Sequence, residues 1–196
     1  MQTRAHAAIA PRPSQLACRD LGVVMARIAV MACIACVAGA APSAAAATLS
    51  PQELLIVGHA VGFMQPPPTA GTVAVVYATG DAASRQDADA IAAEIGTGLQ
   101  AGSAVLAPKV VDAAALAKGG FAVAIAASGA NGPALGAAVR AARILCVTAD
   151  LAAVGDGVCT MGITAKPRVT IVLNHAAAEA ADISFVAAFR MMIREM

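Results

Sequence analysis

Thr72-Val-Ala-Val-Val-Tyr-Ala-Thr79 runs for eight residues without a charge and without polar alternation. A strand that is apolar on both faces belongs inside a sheet covered on two sides. Residues 103–110, 121–126 and 144–148 read the same way, and between the strands lie helical stretches at 87–99, 112–118 and 132–143. Strands alternating with helices imply a largely parallel α/β sheet.

Upstream, Ser50-Pro51-Gln52-Glu53 has the form of a helix start, with a serine cap, a proline in the first turn and a glutamate at the third position. It opens an apolar helix through Leu54, Leu55, Val57, Val61 and Met64, which Pro66, Pro67 and Pro68 end. Beyond Asp150 the pattern changes. Strands at 158–163 and 168–173 are separated by residues 164–167 alone, a spacing that suits an antiparallel hairpin. After a polar break at Asn174, Ile183, Val186, Phe189 and Ile193 recur at helical spacing. The expected fold is one three-layer α/β domain over residues 48–196, with a mixed, mostly parallel sheet and an antiparallel C-terminal hairpin.

The residues before it read as a leader. Arg4, Arg12, Arg19 and Arg27 precede the apolar run 28–37, and Gly39, Pro42 and a series of alanines follow. These are the charged, apolar and cleavage regions of a secretory signal peptide, with cleavage expected near Ala47. Translation is expected to begin at Met25, because Met25-Ala-Arg-Ile-Ala-Val-Met is by itself a compact signal start. Residues 28–47 are about long enough to span a bilayer, but Gly39 and Pro42 fall in their second half. Val30-Met31-Ala32-Cys33 is similar to a lipoprotein cleavage box, yet it lies too close to Arg27 to leave an apolar region. Export to the periplasm is therefore expected, without stable membrane insertion after cleavage.

Without the leader the chain carries 9 basic and 11 acidic residues, close to neutral and without a basic stripe, which argues against nucleic acid. Only Cys146 and Cys159 remain, a candidate disulfide in an oxidising compartment, with two buried free thiols as the alternative.

In an open α/β sheet, ligands dock at the carboxyl ends of strands. Thr79-Gly80-Asp81 and Ser128-Gly129-Ala130-Asn131-Gly132 have that placement, so Thr79, Asp81, Ser128 and Asn131 are candidate ligand residues. The same residue types are ordinary in turns and helix caps. Catalysis finds no support: His59 sits in the apolar first helix as a partly buried residue, and no nucleophile elbow or zinc-binding helix motif occurs. Asp87 and Asp89 lie two apart on a helix and read as solvated charges. Neither a metal nor a cofactor is expected, and the chain reads as a binding protein and not an enzyme.

Val172-Leu173-Asn174, followed by Ala177, Ala180 and Ile183-Ser184 leading into the Phe/Met-rich end, resembles the closing motif of the YfiR family of small periplasmic regulators. The stretch from Leu54 to Pro66 resembles that family's opening helix, with Met64-Gln65 in place of the usual tryptophan region. The segment from Ile144 to Asp150, Gly157, and Met161-Gly162-Ile163 resemble the strand, loop and strand that precede the ending. The similarity covers residues 52–195. It implies a periplasmic protein, able to dimerise, that binds the periplasmic sensor domain of a membrane-bound diguanylate cyclase and inhibits it, lowering cyclic di-GMP and biofilm formation. It also implies a disulfide between Cys146 and Cys159 around the penultimate loop. The partner-binding residues expected are Leu55, Val61, Phe63 and Met64 from the opening helix, with Phe189, Met192 and Ile193 from the last. A small periplasmic solute-binding domain, with its ligand near Thr79 and Ser128, is the competing reading.

Overall fold

The computed structural model describes residues 48–196; the leader, the alternative start at Met25 and the lipoprotein-like box lie outside the described residues. Helix α1 (Pro51–Gly62) begins where the sequence places it. The Ser50 hydroxyl accepts from the Glu53 N–H, and the Glu53 carboxylate accepts from the Ser50 N–H at 2.7 Å, so each satisfies a group the other leaves open. The helix stops before the prolines, and Met64 lies in a two-residue strand, β1 (Met64–Gln65), not in the helix as expected.

Strand β2 (Thr72–Tyr77) leads into α2 (Ala82–Ile95), which starts five residues earlier than the alanine pattern suggests. The cause is Asp81, whose carboxylate accepts from the N–H groups of Ala83 and Ser84 and so caps the first turn. A short strand, β3 (Leu99–Ala101), then folds back on β4 (Ala104–Asp112). Next come α3 (Ala113–Leu116), β5 (Val123–Ala126), α4 (Pro133–Ala142) and β6 (Leu145–Thr148). Residues after Asp150, which carry no sequence signal for a helix, form α5 (Leu151–Gly155), capped by the Asp150 carboxylate.

The hairpin of β7 (Met161–Thr164) and β8 (Thr170–Leu173) is antiparallel, with Met161 opposite Leu173. Asn174 caps α6 (His175–Ala180) by accepting from the Ala177 N–H at 2.9 Å. The continuous final helix expected from the spacing of Ile183 to Ile193 is absent. In its place are β9 (Ser184–Phe185), the single turn α7 (Ala187–Arg190) and β10 (Arg194–Glu195). Asp182 stands in the left-handed region and breaks the run, while β9 finds a partner in β1.

The eight-stranded sheet has the order β10-β8-β7-β6-β5-β2-β4-β3. Five neighbours, β4, β2, β5, β6 and β7, are parallel, and antiparallel pairs stand on both sides of them. Alternate residues of the central strands feed two cores. Val73, Val75, Ile125 and Val147 pack with Val57, Val61, Ala88, Ile91, Phe185 and Phe189 from α1, α2 and the C-terminal segment. Ala74, Val76, Ala124 and Cys146 pack with Leu116, Leu135, Val139 and Val154 from α3, α4 and α5. Each fully buried leucine or valine is worth about 1.5–3 kcal/mol relative to exposure, which explains why the central strands tolerate no polar face. The fold is thus the three-layer α/β arrangement that the apolar runs imply.

A close contact ties α1 in place. A Cβ at Gly58 would stand 2.3 Å from the Gln100 carbonyl oxygen, so only glycine lets the helix lie against β3. Among the described residues, no helix is long and apolar enough to cross a membrane.

Candidate functional site

Two regions draw together the residues that the sequence singles out. The first is the crevice at the carboxyl ends of β2 and β5. The connection from β2 runs through α2 to β4 on one side, whereas that from β5 runs through α4 to β6 on the other, on the opposite face. Neighbouring strands whose connections diverge in this way form the topological switch point of an open sheet. Thr79, Asp81, Ser128 and Asn131 all lie on the loops that follow these two strands.

The structure engages most of their polar groups internally. Asp87 of α2 reaches across: one carboxylate oxygen accepts from the Ser128 N–H at 2.7 Å, and the other from the Thr48 hydroxyl at 2.8 Å. Asp87 is half-buried and is not the solvated charge that the sequence suggests. Its neighbour Asp89 does face water, paired with Arg85 at 3.2 Å, and Arg85 also lies over the Tyr77 ring at 4.7 Å. The Ser84 hydroxyl accepts from the Ala78 N–H at 2.9 Å. Gly129, at φ 76°, brings its backbone against Asp81, where a Cβ would meet the Asp81 carboxylate at 3.3 Å.

On the neighbouring loop, Asn131 accepts from the Thr148 hydroxyl at 3.2 Å and donates to Asp150 at 3.4 Å. Thr79 is exposed. The backbone N–H that a bound anion would use at Ser128 is already held by a carboxylate, and Asp81 adds a second negative charge beside it. The crevice as built favours its own acids over an external anion.

The second region joins α1 to the C-terminal segment. Met64 pairs with Phe185 and Gln65 with Ser184 across β1 and β9, and the Val186 N–H donates to the Phe63 carbonyl at 3.0 Å. Three aromatic rings pack over this seam. Phe63 stacks on Phe189 with centroids 5.2 Å apart, and Phe189 meets Phe185 at 5.1 Å. Offset ring pairs of this kind add about 0.5–1.5 kcal/mol beyond the area they bury. The tail is then fastened by β10, where the Met196 N–H donates to the Leu173 carbonyl at 3.0 Å and the His175 N–H to the Met196 carbonyl at 3.1 Å.

The expected partner-binding residues separate by burial. Val61 is fully buried and Phe189 nearly so; both belong to the core and do not present a surface. Met64 and Ile193 are half-buried against the same core. Leu55 is 68% exposed, Met192 68% and Phe63 39%. Met191, which the helical spacing passes over, is 83% exposed. His59 is exposed as well, not partly buried, so Leu55 and His59 stand four apart on the outer side of α1, and exposed Phe63 follows at its C-cap.

A depression of about 200 Å³ beside the seam is lined by Leu173, Ile183 and Phe185, with His175, Glu179 and Arg190 among its polar groups. Arg190 holds Glu195 through two hydrogen bonds of 2.7 and 3.0 Å. That contact keeps the Glu195 carboxyl below the ordinary carboxylate range. His175 lies 3.2 Å from Glu179.

Cys146 of β6 and Cys159, just before β7, form a disulfide with a Cα–Cα distance of 4.8 Å, and both residues are fully buried. The loop it closes contains α5, whose Val154 carbonyl accepts from the Asn174 side chain at 2.8 Å. The bridge therefore braces the junction from which α6 and the tail depart. No protein-family model matches the chain, and no curated protein matches it.

Proposed function

We propose that this chain is a periplasmic regulator that binds the periplasmic sensor domain of an inner-membrane diguanylate cyclase and holds the enzyme inactive. The observation that carries the reading is the surface around the aromatic seam. There Phe63, Met191 and Met192 stay exposed on or beside a frame fixed by β1, β9 and the Phe63–Phe189 stack. Isolated exposed apolar residues are ordinary, but several on one rigid seam mark an interaction site.

The mechanism is differential affinity. An inhibitor moves its partner from mostly active to mostly inactive only by binding the inactive form more tightly, by roughly 5.5 kcal/mol for a shift from 1:99 to 99:1. Burial of two or three large apolar side chains contributes on that order, about 1.5–3 kcal/mol each before the costs of association. The solute-binding alternative has less support, because the crevice groups it needs are engaged by Asp87, Asp81 and Asp150.

The test is co-purification of the tagged chain with a membrane diguanylate cyclase that has a periplasmic segment, together with cyclic di-GMP measured after deletion. Capture of the cyclase and a rise in cyclic di-GMP support the proposal. A deletion that leaves cyclic di-GMP unchanged, with no cyclase captured, rejects it.

A further inference from the structure

The protein has eight methionines, and the five in the described residues fall into two environments. Met161, in β7, is fully buried in the core and Met64 is half-buried at the seam. Met191, Met192 and Met196 are 83%, 68% and 51% exposed. The first two follow Phe189 on a closed turn whose main chain is fixed: the Met191 N–H donates to the Ala187 carbonyl at 3.2 Å and the Met192 N–H to the Phe189 carbonyl at 2.9 Å. Their side chains project from that turn into water. Met191 also lines an open depression with Ala187, Arg190 and Glu195.

We infer that Met191 and Met192 form a modification site for two-electron oxidants of the hypochlorous acid type, and that their sulfoxidation reversibly switches off the apolar surface proposed above. In the step, the thioether sulfur loses two electrons and gains the oxidant's oxygen. Hypochlorous acid is reduced to chloride, and one proton is released. Susceptibility follows exposure, so the pair reacts while Met161 is shielded by the core. The product replaces a soft apolar side chain with a strong hydrogen-bond acceptor. At Met191 that acceptor arises in the depression that Met191 shares with Arg190 and Glu195. Burial of such an oxygen in an apolar contact without a donor costs on the order of tenfold in affinity or more. The fold itself is spared, because neither residue belongs to the core clusters. Methionine sulfoxide reductases reverse the change.

The consequence for docking rests on the regulator reading, whereas the modification itself does not, and the experiment separates them. The mature chain is treated with stoichiometric hypochlorous acid and mapped by peptide mass spectrometry. Oxygen is expected on Met191 and Met192 well before Met161, with an unchanged melting temperature and weaker retention on a phenyl resin. Binding to the cyclase's periplasmic domain is expected to fall at least tenfold, to return after reductase treatment, and to resist oxidant in the Met191→Leu/Met192→Leu variant. Oxidation of Met161 at the same rate, or unaltered resin retention, overturns the modification site. Unaltered binding by the oxidised chain overturns the switch. If the untreated chain fails to bind the cyclase, the regulator reading fails while the oxidation map and resin retention still decide the site.

Discussion

The Oε1 atom of Glu53 accepts a 2.7 Å hydrogen bond from the backbone N–H of Ala165, 112 residues further along the chain. The other carboxylate oxygen closes the helix cap at Ser50, so one buried side chain fastens the start of α1 to the β7–β8 turn. Burial alone would raise the Glu53 carboxyl above its ordinary value. The hydrogen bonds from the Ser50 N–H, the Ser50 hydroxyl and the Ala165 N–H, with the charge of Lys166, outweigh it and hold the group lowered.

A lowered folded value means that the ionised carboxylate stabilises the fold. This stability is fully present above the unfolded value, near the ordinary 4.5, and is lost as the pH falls through the folded value. Glu53→Ala removes the carboxylate half of the capping box and leaves the Ser50 and Ala165 N–H groups unpaired, and is expected to cost about 2 kcal/mol in urea unfolding at pH 7. Glu53→Gln is expected to flatten the acid limb of the stability curve below pH 4.5. An unaltered acid limb in that variant would reject the assignment.

At Gly58 an added methyl meets backbone, which cannot rotate away. Gly58→Ala is expected to destabilise by at least about 2 kcal/mol, because α1 must lift from β3. Gly155→Ala, where a Cβ meets nothing within 4 Å, is the matched control and is expected to be neutral within about 0.5 kcal/mol. Equal effects at the two positions would mean that the close approach at Gly58 is not what fixes the helix.

The Cys146–Cys159 bridge spans 13 residues of sequence. Closing a loop of that size restricts the unfolded chain by about 3 kcal/mol in the chain-entropy model. Cys146→Ala/Cys159→Ala is expected to lower stability by about that amount and to loosen α5, read as faster amide exchange at Val154. A double variant as stable as the native chain would show that the bridge adds nothing to the sheet's own packing.

Leu55→Asp and Met192→Asp place charges at exposed positions, so both variants are expected to fold with melting temperatures close to native. If their surface is the regulatory one, each lowers cyclase repression at least tenfold. Variants that fold and still repress fully would move the interface elsewhere on the domain.

Much of this architecture could be read from local signals, and the exceptions share a cause. The Ser50–Glu53 cap, the apolar runs of β2 and β5 and the β7–β8 hairpin are written in contiguous residues. By contrast, β9 exists because Met64 and Gln65 lie across from it, a pairing over roughly 120 residues that periodicity at Ile183 to Ile193 cannot report. Helix α5 is five residues long, too short to show a period, and is held by Asp150 and by the bridge around it. For the candidate surface, residue type alone did not separate Phe63 from Phe189 or Met192 from Val61, since exposure depends on which element covers which. Asp87 shows the same gap: its spacing from Asp89 is visible in sequence, but its reach to Ser128 is not.

That reach gives the crevice its character. Sheets of this topology extend backbone amides toward a visiting anion, and here the visitor is tethered. Asp87 acts as a resident ligand, covalently attached, and joins the Ser128 N–H to the Thr48 hydroxyl. Asp87→Gly is expected to leave a carboxylate-shaped hole between Ser128 and Thr48, at a cost of about 1–2 kcal/mol. Millimolar formate should refill it and recover part of the loss in a thermal melt, as untethered ligand does for any vacated site. An absence of rescue would mean that the loops collapse once the tether is cut.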